Sequence, residues 1–158
     1  NEAKLDLVIV GKPGWRYASI LEAMAPHVRT GALHHLQNVP LVELQALYRG
    51  AEAVLFPSYA EGFGLPTIEA LAAGTPPIVS DIPAHRYVLG DAALFVDPYD
   101  VQAIAEAIER LVLADDRETL RRQILDKAPA IVDRYRPARV GAEWADLFDR
   151  LSPRSARR

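Results

Sequence analysis

Ala53-Val54-Leu55-Phe56-Pro57-Ser58-Tyr59-Ala60-Glu61-Gly62-Phe63-Gly64-Leu65-Pro66-Thr67-Ile68-Glu69-Ala70-Leu71-Ala72-Ala73-Gly74-Thr75-Pro76-Pro77-Ile78-Val79-Ser80 joins two apolar runs through a glycine-bearing loop and a short helical stretch. Ala53–Phe56 is apolar throughout and is stopped by Pro57, the pattern of a buried strand. Pro66 suits a first helical position, where its missing N–H costs nothing, and Gly74 suits the position just past a helix end. The helix therefore reads Pro66–Ala73, and Pro77–Ser80 reads as a second buried strand. Strand, helix, strand in this order implies parallel strands joined by a right-handed crossover.

The pattern extends in both directions. Upstream, Leu5–Val10 is a nearly continuous apolar run ending at Gly11, which reads as a strand buried on both faces, and Lys12-Pro13-Gly14 reads as a turn. Tyr17–His27 is helical by the spacing of Ile20, Leu21 and Met24, a strand is placed near Gly31–Leu36, and Leu41–Tyr48 reads as a second helix. Downstream, Asp81-Ile82-Pro83 turns out of the strand and Ala93–Val96 is one more strand. Val101–Leu113 is an amphipathic helix with Ile104, Ile108, Leu111 and Val112 on its apolar face. Arg117–Leu151 reads as two helices broken near Pro137. Strands alternating with helices predict an α/β fold, a Rossmann-like doubly wound parallel sheet with a helical C-terminal end. The expected organisation is one domain over residues 1–151 and a basic tail over residues 152–158.

Composition narrows the function. Of 158 residues half are apolar and a quarter charged, the balance of an ordinary globular protein. A net charge of −3 argues against a nucleic-acid partner, which needs a concentrated basic surface. Arg154, Arg157 and Arg158 form the basic tail; they read as a solvated end, with weak attraction to a membrane surface as the alternative. The chain has no cysteine, so it has neither a disulfide framework nor a thiol nucleophile. Its apolar runs are too short to span a bilayer and no secretory pattern opens it, so the expected location is cytoplasmic, with peripheral membrane contact as a variant.

In open parallel sheets, ligands bind at the carboxyl ends of strands, where loops lead into helices. Pro57–Pro66 is such a loop. Gly62 and Gly64 let backbone approach a ligand closely, and the helix after them offers free N–H groups and the positive end of its dipole to a phosphate. Glu61 on the loop and Glu69 one turn into the helix can accept hydrogen bonds from vicinal hydroxyls, each worth about 1.5–3 kcal/mol when charged. Phosphate donors beside two hydroxyl acceptors suit a nucleotide joined to a sugar. On these residues alone, a glycine turn with a solvated glutamate is the stronger competitor, since phosphate-binding loops of this kind serve many functions.

Other residues offer less. Lys12-Pro13-Gly14 is not a P-loop, since no G-K-S/T follows a glycine-rich run, so Lys12 reads as a solvated turn residue, with approach to phosphate as the alternative. His34 and His35 are adjacent on a strand, point to opposite faces and suit no metal site. His85, near a strand end, reads as structural, with ligand contact as the alternative. No serine, histidine and aspartate set emerges from spacing.

Glu61-Gly62-Phe63-Gly64-Leu65-Pro66-Thr67-Ile68-Glu69-Ala70-Leu71-Ala72-Ala73-Gly74-Thr75-Pro76 resembles the signature of the retaining glycosyltransferases of family 4, in which two glutamates eight residues apart flank an F-G-L-P core. Leu44-x-x-Leu47-Tyr48-x-x-Ala51, Pro57-Ser58, Ser80-Asp81-x-Pro83 and Gly90-Asp91-Ala92-Ala93 also stand where that family has them, so the resemblance reaches about Leu113. It implies the C-terminal, donor-binding half of a GT-B fold. In that likeness Glu61 contacts the transferred sugar as the catalytic residue. Gly62 and the backbone of Phe63, Gly64 and Leu65 face sugar and diphosphate, Glu69 holds the ribose, and the backbone near Asn38 and Val39 lies beside the base.

The resemblance further implies no metal and no cofactor beyond a nucleotide-diphosphate sugar, with a glycan or lipid-linked acceptor. Gly11-Lys12-Pro13-Gly14-Trp15 is similar to a segment of bacterial mannosyltransferases of polysaccharide assembly, which makes GDP-mannose the first donor expected and UDP-glucose the next. Tyr87 departs from the family, which often has an acidic residue there. The family's phosphate-gripping arginine and lysine precede a strand like Leu5–Val10, and its acceptor site lies on an N-terminal Rossmann-like domain. On this reading the chain is part of a longer enzyme and inactive alone. The rivals are a nucleotide or sugar-phosphate binding module without catalysis and a doubly wound interaction domain.

Overall fold

The computed structural model describes residues 5–152, so the tail arginines lie outside the described residues. The described strands are all parallel and fall into a two-stranded and a three-stranded sheet, within two compact units, residues 1–47 and 48–158.

In the first unit, β1 (Leu7–Val10) leads through α1 (Ala18–Arg29) to β2 (Leu33–Leu36), and the strands pair in register from Leu7 with Leu33 to Val10 with Leu36. The expectation of a β1 buried on both faces is not met: Leu7 is 46% exposed, and Val8 and Val10 40% each. Among the unit's described residues only Leu33 is buried, and α1 buries none of its side chains. Apolar periodicity marks which residues can be covered; it carries no information on how much cover this unit has. Helix α2 (Leu41–Gly50) begins in this unit and runs into the next.

The second unit holds the core. Strands β3 (Val54–Phe56), β4 (Pro77–Ser80) and β5 (Leu94–Val96) lie side by side in chain order, with α3 (Leu65–Ala73) and α4 (Pro83–Leu89) as crossovers. Central β4 is buried along its whole length, which is why it reads as Pro-Ile-Val-Ser without a polar alternation. Ile78, Leu89 and Leu111 have no exposed surface, and Ile68, Leu71, Val88, Ile124 and Ile131 pack in the same cluster. Truncating any such side chain to alanine is worth about 2–5 kcal/mol.

Three local differences from the sequence reading have physical causes. Helix α4 stands where only a turn is expected; at seven residues it is too short for apolar periodicity to register. The helix at Val101 is α-helical to Ile108 (α5) and continues as a π-helical turn, Glu109–Leu113, closed by the Ala114 N–H on the Glu109 carbonyl. The Asp100 side chain caps α5 by accepting from the Ala103 N–H at 3.0 Å. Beyond it lie three helices rather than two: α6 (Arg117–Leu125), α7 (Ala128–Arg134) and α8 (Pro137–Leu151). The additional break falls just before Pro129, whose ring and missing N–H forbid a continuous helix.

Candidate functional site

The glycine loop leaves the carboxyl end of β3 and enters α3, and α3 is closed at both ends by left-handed glycines. Gly64 is its N-cap with φ 84°, and Gly74 its C-cap with φ 83°. The helix starts at Leu65, which puts Pro66 at its second position rather than its first. The carbonyl of Gly64 accepts the Thr67 N–H at 3.0 Å and the buried Thr67 hydroxyl at 2.7 Å, fixing the entry to the helix. With that carbonyl turned into the helix, the N–H groups of Phe63, Gly64 and Leu65 have no backbone acceptor among the described residues. These are the groups that a helix start offers to an anion.

The flanking side chains divide between anchoring and presentation. Phe63 is half-buried and meets the Tyr135 ring edge-on, with centroids 5.0 Å apart. Glu61 is half-buried on the loop, while Gly62 and Leu65 are exposed beside it. Glu69, one turn into α3, is exposed, and its Oε2 accepts a hydrogen bond from the Tyr48 hydroxyl at 3.0 Å. Burial and the neighbouring carboxylate push the Tyr48 hydroxyl above the usual tyrosine range, so it stays a donor. The Thr75 hydroxyl donates to the Tyr48 carbonyl, tying the end of α2 to the turn after α3.

Below the loop, His85 is fully buried, its Nδ1 2.9 Å from the Ser80 carbonyl and its ring against Phe56. It therefore has no surface to offer a ligand. At the same strand end, Arg86 grips Asp81 through two bonds of 2.7 and 2.8 Å and lies 3.8 Å over the Phe95 ring. The Arg86 hydrogen bond holds the Asp81 carboxyl below the usual carboxylate range.

The structure thus brings Glu61, Gly62, Phe63, Gly64, Leu65 and Glu69 onto one loop and helix start. Asn38 and Val39 belong to the first unit, between β2 and α2. There Asn38 has a left-handed φ of 54° and Val39 is half-buried. Sequence reasoning missed the role of Tyr48, which stood within a recognised motif but without a partner, while the burial of His85 agrees with its structural reading. Among the described residues no helix is long and apolar enough to cross a membrane.

A parallel α/β arrangement with a glycine turn and a free helix start at a strand's carboxyl end defines a protein of the doubly wound α/β class, whose ligands bind at that end of the strands. The comparisons narrow that class. The family model for glycosyl transferases group 1 matches residues 1–129, and the chain belongs to that family. It is 37% identical over 105 residues to an O-antigen chain mannosyltransferase B of Escherichia coli, covering 66% of this chain and 28% of that protein. It is 47% identical over 76 residues to the O-antigen chain mannosyltransferase RfbU of Salmonella typhimurium, covering 48% of this chain and 22% of RfbU. Among solved structures, sucrose-phosphate synthase from Thermosynechococcus elongatus superposes with a TM-score of 0.75 at 27% identity, over 94% of this chain and 38% of that one. The architecture is that of GT-B glycosyltransferases, with bacterial mannosyltransferases among the relatives. The chain spans about a quarter of the length of the two mannosyltransferases.

Proposed function

We propose that this chain is the donor-binding part of a retaining hexosyltransferase of family 4. In this reading it holds a nucleotide-diphosphate sugar for transfer to a glycan or lipid-linked acceptor. The observation that carries the reading is that the N–H groups of Phe63–Leu65, without a backbone acceptor among the described residues, share one loop and helix start with the Glu61 and Glu69 carboxylates. Diphosphate charge is met by the helix start, and sugar and ribose hydroxyls by the two carboxylates. Glu61 positions the transferred sugar, and Glu69 with Tyr48 behind it takes the ribose. GDP-mannose is the first donor to test, since two similar proteins are named as mannosyltransferases. The leaving diphosphate assists attack by the acceptor on the same face, so Glu61 acts on the sugar without forming a bond to it. Acceptor groups and cationic phosphate ligands come from residues outside this chain, in a longer enzyme with an N-terminal Rossmann-like domain.

The test is a titration of that enzyme with GDP-mannose, GDP, UDP-glucose and UDP, together with transfer assays. Glu69→Ala is expected to weaken nucleotide binding about tenfold, the loss of one charged hydrogen bond. Glu61→Ala is expected to reduce transfer more than it reduces affinity for bare nucleotide. If both variants keep wild-type affinity and rate, the assignment is wrong. Saturable binding with no transfer to any acceptor would instead mark a binding module.

A further inference from the structure

His85 is the largest fully buried polar side chain of the described residues, and the donor contacts proposed above make no use of it. Its Nδ1 faces the Ser80 carbonyl, which can only accept, so Nδ1 carries a proton and Nε2 is the ring nitrogen left over. Nε2 is buried and finds no hydrogen-bond partner among the described residues. A buried polar atom left unmet is costly, so its presence calls for a reason.

Gly64 supplies one. A Cβ added to it would lie 3.1 Å from both Cδ2 and Nε2 of His85, a tight contact that the ring would have to yield to, so the imidazole lies directly against this glycine. Gly64 is also the left-handed N-cap of α3, with φ 84°, and stands among the Phe63–Leu65 N–H groups that have no backbone acceptor among the described residues. The hydrogen bond to the end of β4 fixes the ring, and the ring fixes the turn.

We infer that His85 is a positioning residue for the diphosphate end of the donor: from below the Gly64 turn it sets where these N–H groups point, without touching ligand. This rests on the donor-site reading above. It separates two parts of the ligand, because the ribose is assigned to Glu69 and only the phosphates depend on the turn.

The experiment compares GDP with guanosine, by calorimetry on the full-length enzyme, or UDP with uridine if that donor is preferred. His85→Asn keeps a donor toward Ser80 but removes the ring edge beneath Gly64. It is expected to weaken GDP at least about tenfold while guanosine stays within about twofold. His85→Phe restores a ring of similar shape and is expected to recover part of that loss. Leu111→Val, a core change among α5 neighbours, is the control for stability and should shift neither affinity. Unchanged GDP binding by folded His85→Asn, or equal losses for GDP and guanosine, overturns the inference. If neither histidine variant folds, the 15N shift of His85 Nε2 in the unaltered enzyme decides: it should move with GDP and not with guanosine, and no movement with GDP overturns the inference. Glu69→Ala runs in parallel. If it too leaves GDP affinity intact, the donor-site reading has failed; if it weakens GDP while His85→Asn does not, only the role of His85 has.

Discussion

Tyr48 adds a hydroxyl behind Glu69 that no spacing rule could place there. The two residues are 21 positions apart and meet only because the end of α2 approaches α3. Tyr48 is half-buried and Glu69 exposed, so the bond sits at a water boundary, where solvent replaces part of what is lost. Tyr48→Phe is therefore expected to weaken nucleotide binding by about threefold, less than Glu69→Ala, with little change in the thermal midpoint. Calorimetric titration of the variant enzyme checks this, and a loss equal to that of Glu69→Ala would mean the carboxylate is useless without the hydroxyl. The placement of Glu61, Gly64 and Glu69 on one loop and helix start was legible because it is local, set by residue types along one short segment. His85 was not legible in the same way. Nothing in Pro83-Ala84-His85-Arg86 tells whether the imidazole faces ligand or core until β4 and the loop are in place.

At the level of elements, β4 and α4 are joined by the Asp81–Arg86 pair. The Asp81 N–H meanwhile bonds the Val96 carbonyl of β5 at 2.8 Å. Both side chains are about half exposed, so solvent screens the pair and its worth is about 0.2–1 kcal/mol. Because Arg86 lowers the Asp81 pKa, this contribution is present at neutral pH and is lost as the pH falls through and below the usual carboxylate range. Asp81→Asn should accordingly be less stable than wild type at pH 7 by urea unfolding, with the gap closing in acid. A gap independent of pH would show that the pair acts through packing on Phe95 rather than charge. Strands with continuous apolar runs were readable at this scale, as β4 shows with bounds identical to those expected. The seven-residue α4, the π-helical turn and the break before Pro129 were not resolved, because each departs from the long periodic helix that pattern reading rewards.

For the whole molecule, alternation of strand and helix was enough to reach the α/β class, since parallel strands need crossovers. The alternation did not tell which strands share hydrogen bonds. The division into β1–β2 and β3–β4–β5, and the exposure of β1, depend on contacts between distant residues. In the second sheet, spatial order repeats chain order, and this bears on how the polypeptide is made. Each strand leaving the ribosome finds its neighbour already there, so the sheet can grow one edge at a time without waiting for a distant partner. The hazard lies in the interval after β4 has emerged and before β5 arrives, when an apolar strand meant for the centre stands as an open edge. A polypeptide stopped after Gly90 is expected to self-associate in light scattering, and one extended through Leu113, which supplies β5 and α5, to do so much less. Equal association of the two would place the danger elsewhere than at the edge of β4.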